Sequence, residues 1–290
     1  MAILLEPIDD HGTTALSIDL SGITPDRMAG LSLETIRRLR VQADGTACEL
    51  GMLFRMRGDA SDQRMECIGD FSRVHWLGAR MSSGTLSVSG NVGRHAGAGL
   101  SGGTLKIAGN AGDWLAAEMS GGTVHVGGSA GDNAAGALPG SQRGLRGGMV
   151  VIARDTGCLA GARMQRGFVA IGGGCGEAAA FEMRAGTLLV GGHVGQRAGM
   201  GMRRGTLIAS QAATAELAYV PPPTFQRGGV WSPPFMHLLA QRLLQVGFPP
   251  WAEGATGPLL DGVWQQWHGD MLTGGRGEIF HRPAFATNGG

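Results

Sequence analysis

The residues whose type and spacing best suit chemistry are arginines. Arg163, Arg166, Arg184, Arg203 and Arg204 fall just ahead of a Gly that recurs at regular intervals, and Arg146 takes the same place in a copy that carries an insertion. In the earlier copies the equivalent segments are mostly Ser and Gly. If the copies stack at the ~4.8 Å spacing of neighbouring strands, equivalent positions form a ladder of cations along one edge. Guanidinium groups spaced in that way hold carboxylate or phosphate through paired hydrogen bonds, so the chemistry on offer is anion binding. The same ladder would also serve as a solvated surface or as one half of a set of salt bridges to a partner. Charge is distributed to match: residues 70–210 carry 13 basic residues against 7 acids, whereas residues 1–69 carry 7 against 11.

Little else in the chain reads as catalytic. The 8 His are dispersed, and neither an H-E-x-x-H pattern nor a G-x-S-x-G elbow occurs. His95, His125 and His193 lie inside the repeats but at places that do not correspond. Gly90-Asn91-Val92-Gly93 has the look of a phosphate loop, yet the spacing recurs in nearly every copy, which makes it a structural corner. Cys48, Cys67, Cys158 and Cys175 are scattered with no C-x-x-C pair, as expected of reduced thiols in a cytoplasmic protein. We therefore expect no catalytic residue, no bound metal and no cofactor held by this chain itself. A pI near 7.8 without interleaved aromatics argues against nucleic acid, and no apolar run approaches the ~18 residues of a membrane span.

The elements that must position the arginines come from the repeat. Anchor glycines stand at Gly84, Gly103, Gly122, Gly148, Gly167, Gly186 and Gly205, all 19 residues apart except one interval of 26. Three residues before each is Met81, Leu100, Met119, Leu145, Met164, Met183 or Met202. Two and four residues after each are apolar pairs such as Leu86 and Val88 or Val169 and Ile171. Residues two apart share one face of a strand, and a strand this short cannot bury that face alone. Stacking successive copies solves the problem, and the Gly supply tight corners and close backbone approach. The expected fold is mainly β: a single-stranded parallel β-helix of about seven to eight coils, right-handed by the crossover rule and by resemblance to a known family.

The outward positions change along the stack. They are polar in the early copies (Thr85 and Ser87, Thr104 and Lys106, Thr123 and His125) and apolar in the later ones, at Met149, Val151, Phe168, Leu189 and Ile208. A strand apolar on both faces is usually covered, either by the C-terminal segment or, at these five residues, by another subunit. Residues 1–58 read as a small α/β cap. It has a strand at Ala15–Leu20, a helix start at Thr24-Pro25, a second short helix over Ser32–Arg40 and a lead-in strand from Leu50 to Gly58. Residues 59–210 are the β-helix. Residues 211–290 are an extension with an amphipathic helix at Phe235–Val246 and with Trp231, Trp251, Trp264 and Trp267, a composition that suits docking on the β-helix or on a partner.

The unit G-x-x-G-x6-M-x-x-G-x-L-x-V-x-G resembles the Gly-rich β-helix shared by the C-terminal region of the glutamate synthase large chain and by the C subunit of formylmethanofuran dehydrogenase. The flanks resemble the latter, through Leu50–Gly58 and through the closing run Gly269-Asp270…Gly277-Glu278-Ile279. The resemblance implies a scaffold subunit of one of two assemblies. One is the archaeal molybdenum or tungsten formylmethanofuran dehydrogenase. The other is the bacterial formyltransferase/hydrolase complex, which moves formyl groups from tetrahydromethanopterin to a furan carrier (a methylofuran) and releases formate. It implies partners that are amidohydrolase-like, formyltransferase-like and a third subunit. Glutamyl tails on the carrier would be the anion for the Arg ladder. The bias to Arg over Lys, with Lys106 the only Lys, tilts the choice to the bacterial complex.

Overall fold

A four-residue strand with alternate apolar residues hides its inner face here by lying beside the same strand of the next copy. The computed structural model describes residues 2–8, 17–211, 219–248 and 260–283. The expected strand positions Ala15 and Leu16, and Trp251, lie outside them.

The N-terminal part comprises β1 (Ile3–Pro7), β2 (Ile18–Asp19), α1 (Pro25–Met28), α2 (Leu33–Arg37), β3 (Arg40–Ala43), β4 (Thr46–Glu49), α3 (Leu50–Leu53) and β5 (Phe54–Arg57). Thr24 precedes α1 with Pro25 at its start, and the Ser32 side chain accepts from the Thr35 amide to cap α2. The lead-in strand expected from Leu50 to Gly58 is shorter than that. Its first half is the helical turn α3, because Leu50 and Leu53, three apart, bury together.

Next come β6 (Arg64–Cys67) and β7 (Val74–His75), then the repeat strands β8 (Thr85–Val88), β9 (Thr104–Ile107), β10 (Thr123–Val126), β11 (Met149–Ile152), β12 (Phe168–Ile171), β13 (Thr187–Val190) and β14 (Arg204–Ala209). The tail adds β15 (Gln226–Trp231), α4 (Phe235–Gln245), β16 (Trp264–Gly269) and β17 (Arg276–His281). The main sheet runs β15-β16-β17-β14-β13-β12-β11-β10-β9-β8-β6-β1-β5. All neighbours from β17 to β1 are parallel, which the repeat predicts for β8 to β14. A second parallel row of single bridges joins Phe71, Val92, Ala111, Ala130, Thr156, Cys175 and Val194, which is the second side of a β-helix-like solenoid. The tail adds one more parallel rung, β17, onto β14.

Inside, Leu86, Leu105, Val124, Val150, Val169, Leu188 and Leu207 stack in one fully buried column, and the Met81-to-Met202 series forms another. Each such side chain contributes about 1.5–3 kcal/mol by leaving water. The two Gly series act differently. The anchors take positive φ, while in the second series a Cβ on Gly195 would meet the Gly176 carbonyl oxygen at 2.4 Å. One corner column uses no Gly at all: Trp76, His95, Trp114, Asn133, Leu159, Ala178 and Arg197 all hold φ between 56° and 64°. Positive φ at the corners is thus set by the stacking of coils, against a cost of about 1–2 kcal/mol for each non-Gly residue.

Candidate functional site

The cationic edge is built by backbone ladders. The amides of Arg146, Gln165, Arg184 and Arg203 donate to the carbonyls of Met119, Leu145, Met164 and Met183 at 2.7–2.8 Å, so the three arginines share one column interrupted by Gln165. Arg166 and Arg204 stand one residue further on, and Arg204 is in register with Arg276 of β17. Arg166, Arg184, Arg203, Arg204 and Arg276 are exposed. Among the described residues none of these five forms an ion pair, and Arg146 donates to the Glu118 carbonyl at 3.3 Å.

Arg163 does not belong with them. Its Nε donates to Glu182 at 2.9 Å and its Nη1 to the Ser141 carbonyl at 2.7 Å, which ties the seven-residue insertion to the coil behind it. It sits one residue before Met164, two before the column position held by Gln165, and its φ of 56° turns the side chain to another corner. Arg276 was missed because no anchor pattern marks its strand; the closing Gly-x-Gly-Glu-Ile run was the available signal.

The apolar outward face is occupied. Met149, Val151, Leu189 and Ile208 are buried and Phe168 partly so, in a cluster with Met236, Ala240 and Leu243 of α4 and with Phe248, Leu260, Trp264 and Phe280. For these five residues both the C-terminal segment and another subunit were open as the cover. The C-terminal segment is the one that packs there, through α4, whose apolar stripe matches the apolar rungs.

The closing run is held by Asp270, which is buried. Its carboxylate accepts from the amides of Gly201 at 3.1 Å and Leu272 at 3.0 Å, and its own amide donates to the Met202 carbonyl. This pins the tail to the last coil and fixes β17, with Arg276, beside Arg204. On another corner Trp76, His95 and Trp114 stack in one column. Burial, then the charges of Arg94 and His75, hold the His95 imidazole below its ordinary pKa of 6.5.

Fold and edge together define a Gly-rich protein with a β-helix-like solenoid, whose exposed edge arginines form no ion pair among the described residues. No family model matches the sequence. A chain of the formyltransferase/hydrolase complex (FhcABCD) from Methylorubrum extorquens, solved with methylofuran, shares the fold with a TM-score of 0.84 and 35% identity. The similarity covers 97% of this chain and 99% of that one. The C subunit of molybdenum-containing formylmethanofuran dehydrogenase 1, from Methanothermobacter marburgensis and from Methanothermobacter thermautotrophicus, is 33% identical over 98 residues. That stretch is 33% of this chain and only 24% of the length of those relatives. The chain belongs to the family formed by the C subunit of formylmethanofuran dehydrogenase and its counterpart in the formyltransferase/hydrolase complex.

Proposed function

We propose that this chain is the scaffold, the C subunit, of a cytoplasmic formyltransferase/hydrolase complex of one-carbon metabolism. In such a complex, formyl groups pass between tetrahydromethanopterin and a methylofuran-like carrier, with release of formate. The chain has no catalytic residue of its own in this reading; amidohydrolase-like, formyltransferase-like and third subunits do the chemistry around it. The observation that carries the reading is similarity along almost the whole of both chains to a component of a complex solved with methylofuran. The matches to the molybdenum enzyme favour the archaeal type of complex as a second reading, but they span a third of this chain.

Within that role, the edge formed by Arg146, Arg166, Arg184, Arg203, Arg204 and Arg276 holds the carrier's anionic glutamyl tail, and Arg163 supports the insertion. The partner-facing apolar surface lies on the outer side of α4 and along β15, since α4 covers the face beneath. The unit is read as a right-handed β-helix of seven to eight coils over residues 59–210, with residues 1–58 as a small α/β cap and residues 211–290 as an extension that wraps onto the β-helix or a partner subunit.

Affinity purification from the native source tests the assembly: recovery of the chain free of other subunits would overturn it. Replacing Arg166, Arg184 and Arg203 by Ala tests the ladder. The intact complex is expected to lose carrier affinity by at least about tenfold, the effect of ~1.4 kcal/mol of charge-assisted hydrogen bonding. Unchanged carrier kinetics in an intact complex would sink the tail-binding role.

A further inference from the structure

The polar half of the outward sheet face is not covered by α4, and it forms a groove of about 730 Å³. Its floor is Ser87, Thr104, Lys106, Thr123 and His125, and the C-terminal end of α4 supplies a wall through Gln245 and Val246. The floor is regular because the strands are in register. Thr104 lies opposite Thr123, and Ser87, Lys106 and His125 follow one another across β8, β9 and β10. Hydroxyls and cation therefore converge from rungs ~4.8 Å apart.

Lys106 is the only Lys in the chain. Among the described residues, none of these five side chains makes a hydrogen bond or ion pair within the chain. The carboxylate facing the same column is Glu66, in register with Ser87 and so two rungs, roughly 9–10 Å, from Lys106. Arg64, in the neighbouring column, is cationic as well. Among the described residues no hydrogen bond joins the helix end to the ammonium, and the carbonyls of Arg242, Leu243 and Leu244 are taken by the amides of Val246, Phe248 and Gly247. Arg242 donates to Gln245 and adds no negative charge.

We propose that this groove is a binding site for a small molecule that carries an oxyanion, a carboxylate or a phosphate, held by the Lys106 ammonium and by the hydroxyls of Ser87, Thr104 and Thr123. An ammonium with rotatable donors flanked by hydroxyls matches an acceptor-only group, and the volume lies in the range of small-molecule sites. His125 is held below its ordinary pKa by burial and by Lys106. It lines the groove next to Lys106, and a neutral imidazole there can donate one further hydrogen bond. The site is separate from the Arg ladder and does not depend on the scaffold reading.

The lone lysine makes the test direct. The full-length chain is treated with an amine-acylating reagent, and the label at Lys106 and at the N-terminal amine is read by mass spectrometry. The experiment is run with inorganic phosphate, with glutamate, and with chloride at matched ionic strength. A saturable slowing of Lys106 labelling of at least about fivefold, with the N-terminal amine unaffected, supports the site. Protection by phosphate alone or glutamate alone assigns the ligand class. Calorimetric titration of the same anions is expected to weaken about tenfold in Thr104→Val and Thr123→Val, to vanish in Lys106→Met and to persist in Lys106→Arg. Equal slowing of both amines, no protection by either anion, or binding undiminished in a folded Lys106→Met overturns the proposal.

Discussion

The imidazole of His95 lies flat on the indole of Trp76, with ring centroids 4.1 Å apart and planes 7° from parallel. Trp114 continues the column one rung further on, at 5.0 Å. Stacking of this kind contributes about 0.5–1.5 kcal/mol per pair beyond area burial. The unfolded ring has its ordinary pKa near 6.5, while burial lowers it in the folded chain, and burial does the same for His75, His125 and His281. Below pH 6.5 the unfolded chain thus binds more protons than the folded one. Stability is complete above that pH and declines as pH falls through it. The melting temperature is expected to drop between pH 7 and pH 5. His95→Phe keeps the stack but removes one titrating group, so it should flatten that drop. A pH profile identical in wild type and His95→Phe would refute this.

Gly148 and Gly140 separate the two reasons for glycine. Both have φ near +80°, at +84° and +80°. A Cβ on Gly140 meets nothing within 4 Å, whereas one on Gly148 would lie 2.5 Å from Met119 Cε and 2.6 Å from the Gly122 carbonyl oxygen. Gly140→Ala should cost about 1 kcal/mol for the left-handed backbone alone. Gly148→Ala should cost at least about 2 kcal/mol more, because the clash is with the coil beneath it. Chemical denaturation of the two variants decides; equal losses would mean that coil-to-coil contact does not constrain the anchor.

Much of this fold was legible because a repeat states the same instruction many times. The step of 19 residues, the Met81-to-Met202 column and the paired apolar positions left one economical solution for the strands. What was not legible follows from the same periodicity. Arg163 and Arg166 look alike in a segment-level reading, but only their offsets from Met164 tell that one ties down the insertion and the other faces solvent. The stack of Trp76, His95 and Trp114 was also present at the 19-residue step, but it is hidden by the changing residue type. The covering of Met149 and Ile208 by α4 could not be chosen over a partner subunit, because an apolar stripe does not say what it meets.

The split between Arg163 and the ladder has its own consequence. Arg163 holds Glu182 and the Ser141 carbonyl, with its side chain 27% exposed against 42% for Glu182. Arg163→Ala should destabilise the chain by about 1 kcal/mol, since solvent screens the ion pair. It should also speed proteolytic nicking around Leu138–Gln142. Arg184→Ala, which removes no internal hydrogen bond of that side chain, should leave both unchanged. Limited proteolysis of the two variants side by side checks the distinction, and equal nicking rates would contradict it.

The two sides of α4 make opposite predictions. Leu243 is fully buried against the later coils, while Leu238 is 69% exposed and Leu244 63% on the other side. Phe235 at the start of α4, and Val230 and Trp231 of the edge strand β15, are exposed as well. Leu243→Ala should cost about 2–5 kcal/mol, as removal of a buried leucine side chain does. It should also raise binding of a hydrophobic dye as the apolar rungs at Val151, Leu189 and Ile208 become accessible. Leu238→Glu with Leu244→Glu should change stability by less than about 0.5 kcal/mol per site. In the scaffold reading the same double variant loses other subunits during purification, because two carboxylates would be buried there without partners. Co-purification and melting temperature measured on one set of samples separate these effects. A double variant that melts normally and still brings down every subunit would move the partner surface away from α4, without touching the role of Leu243.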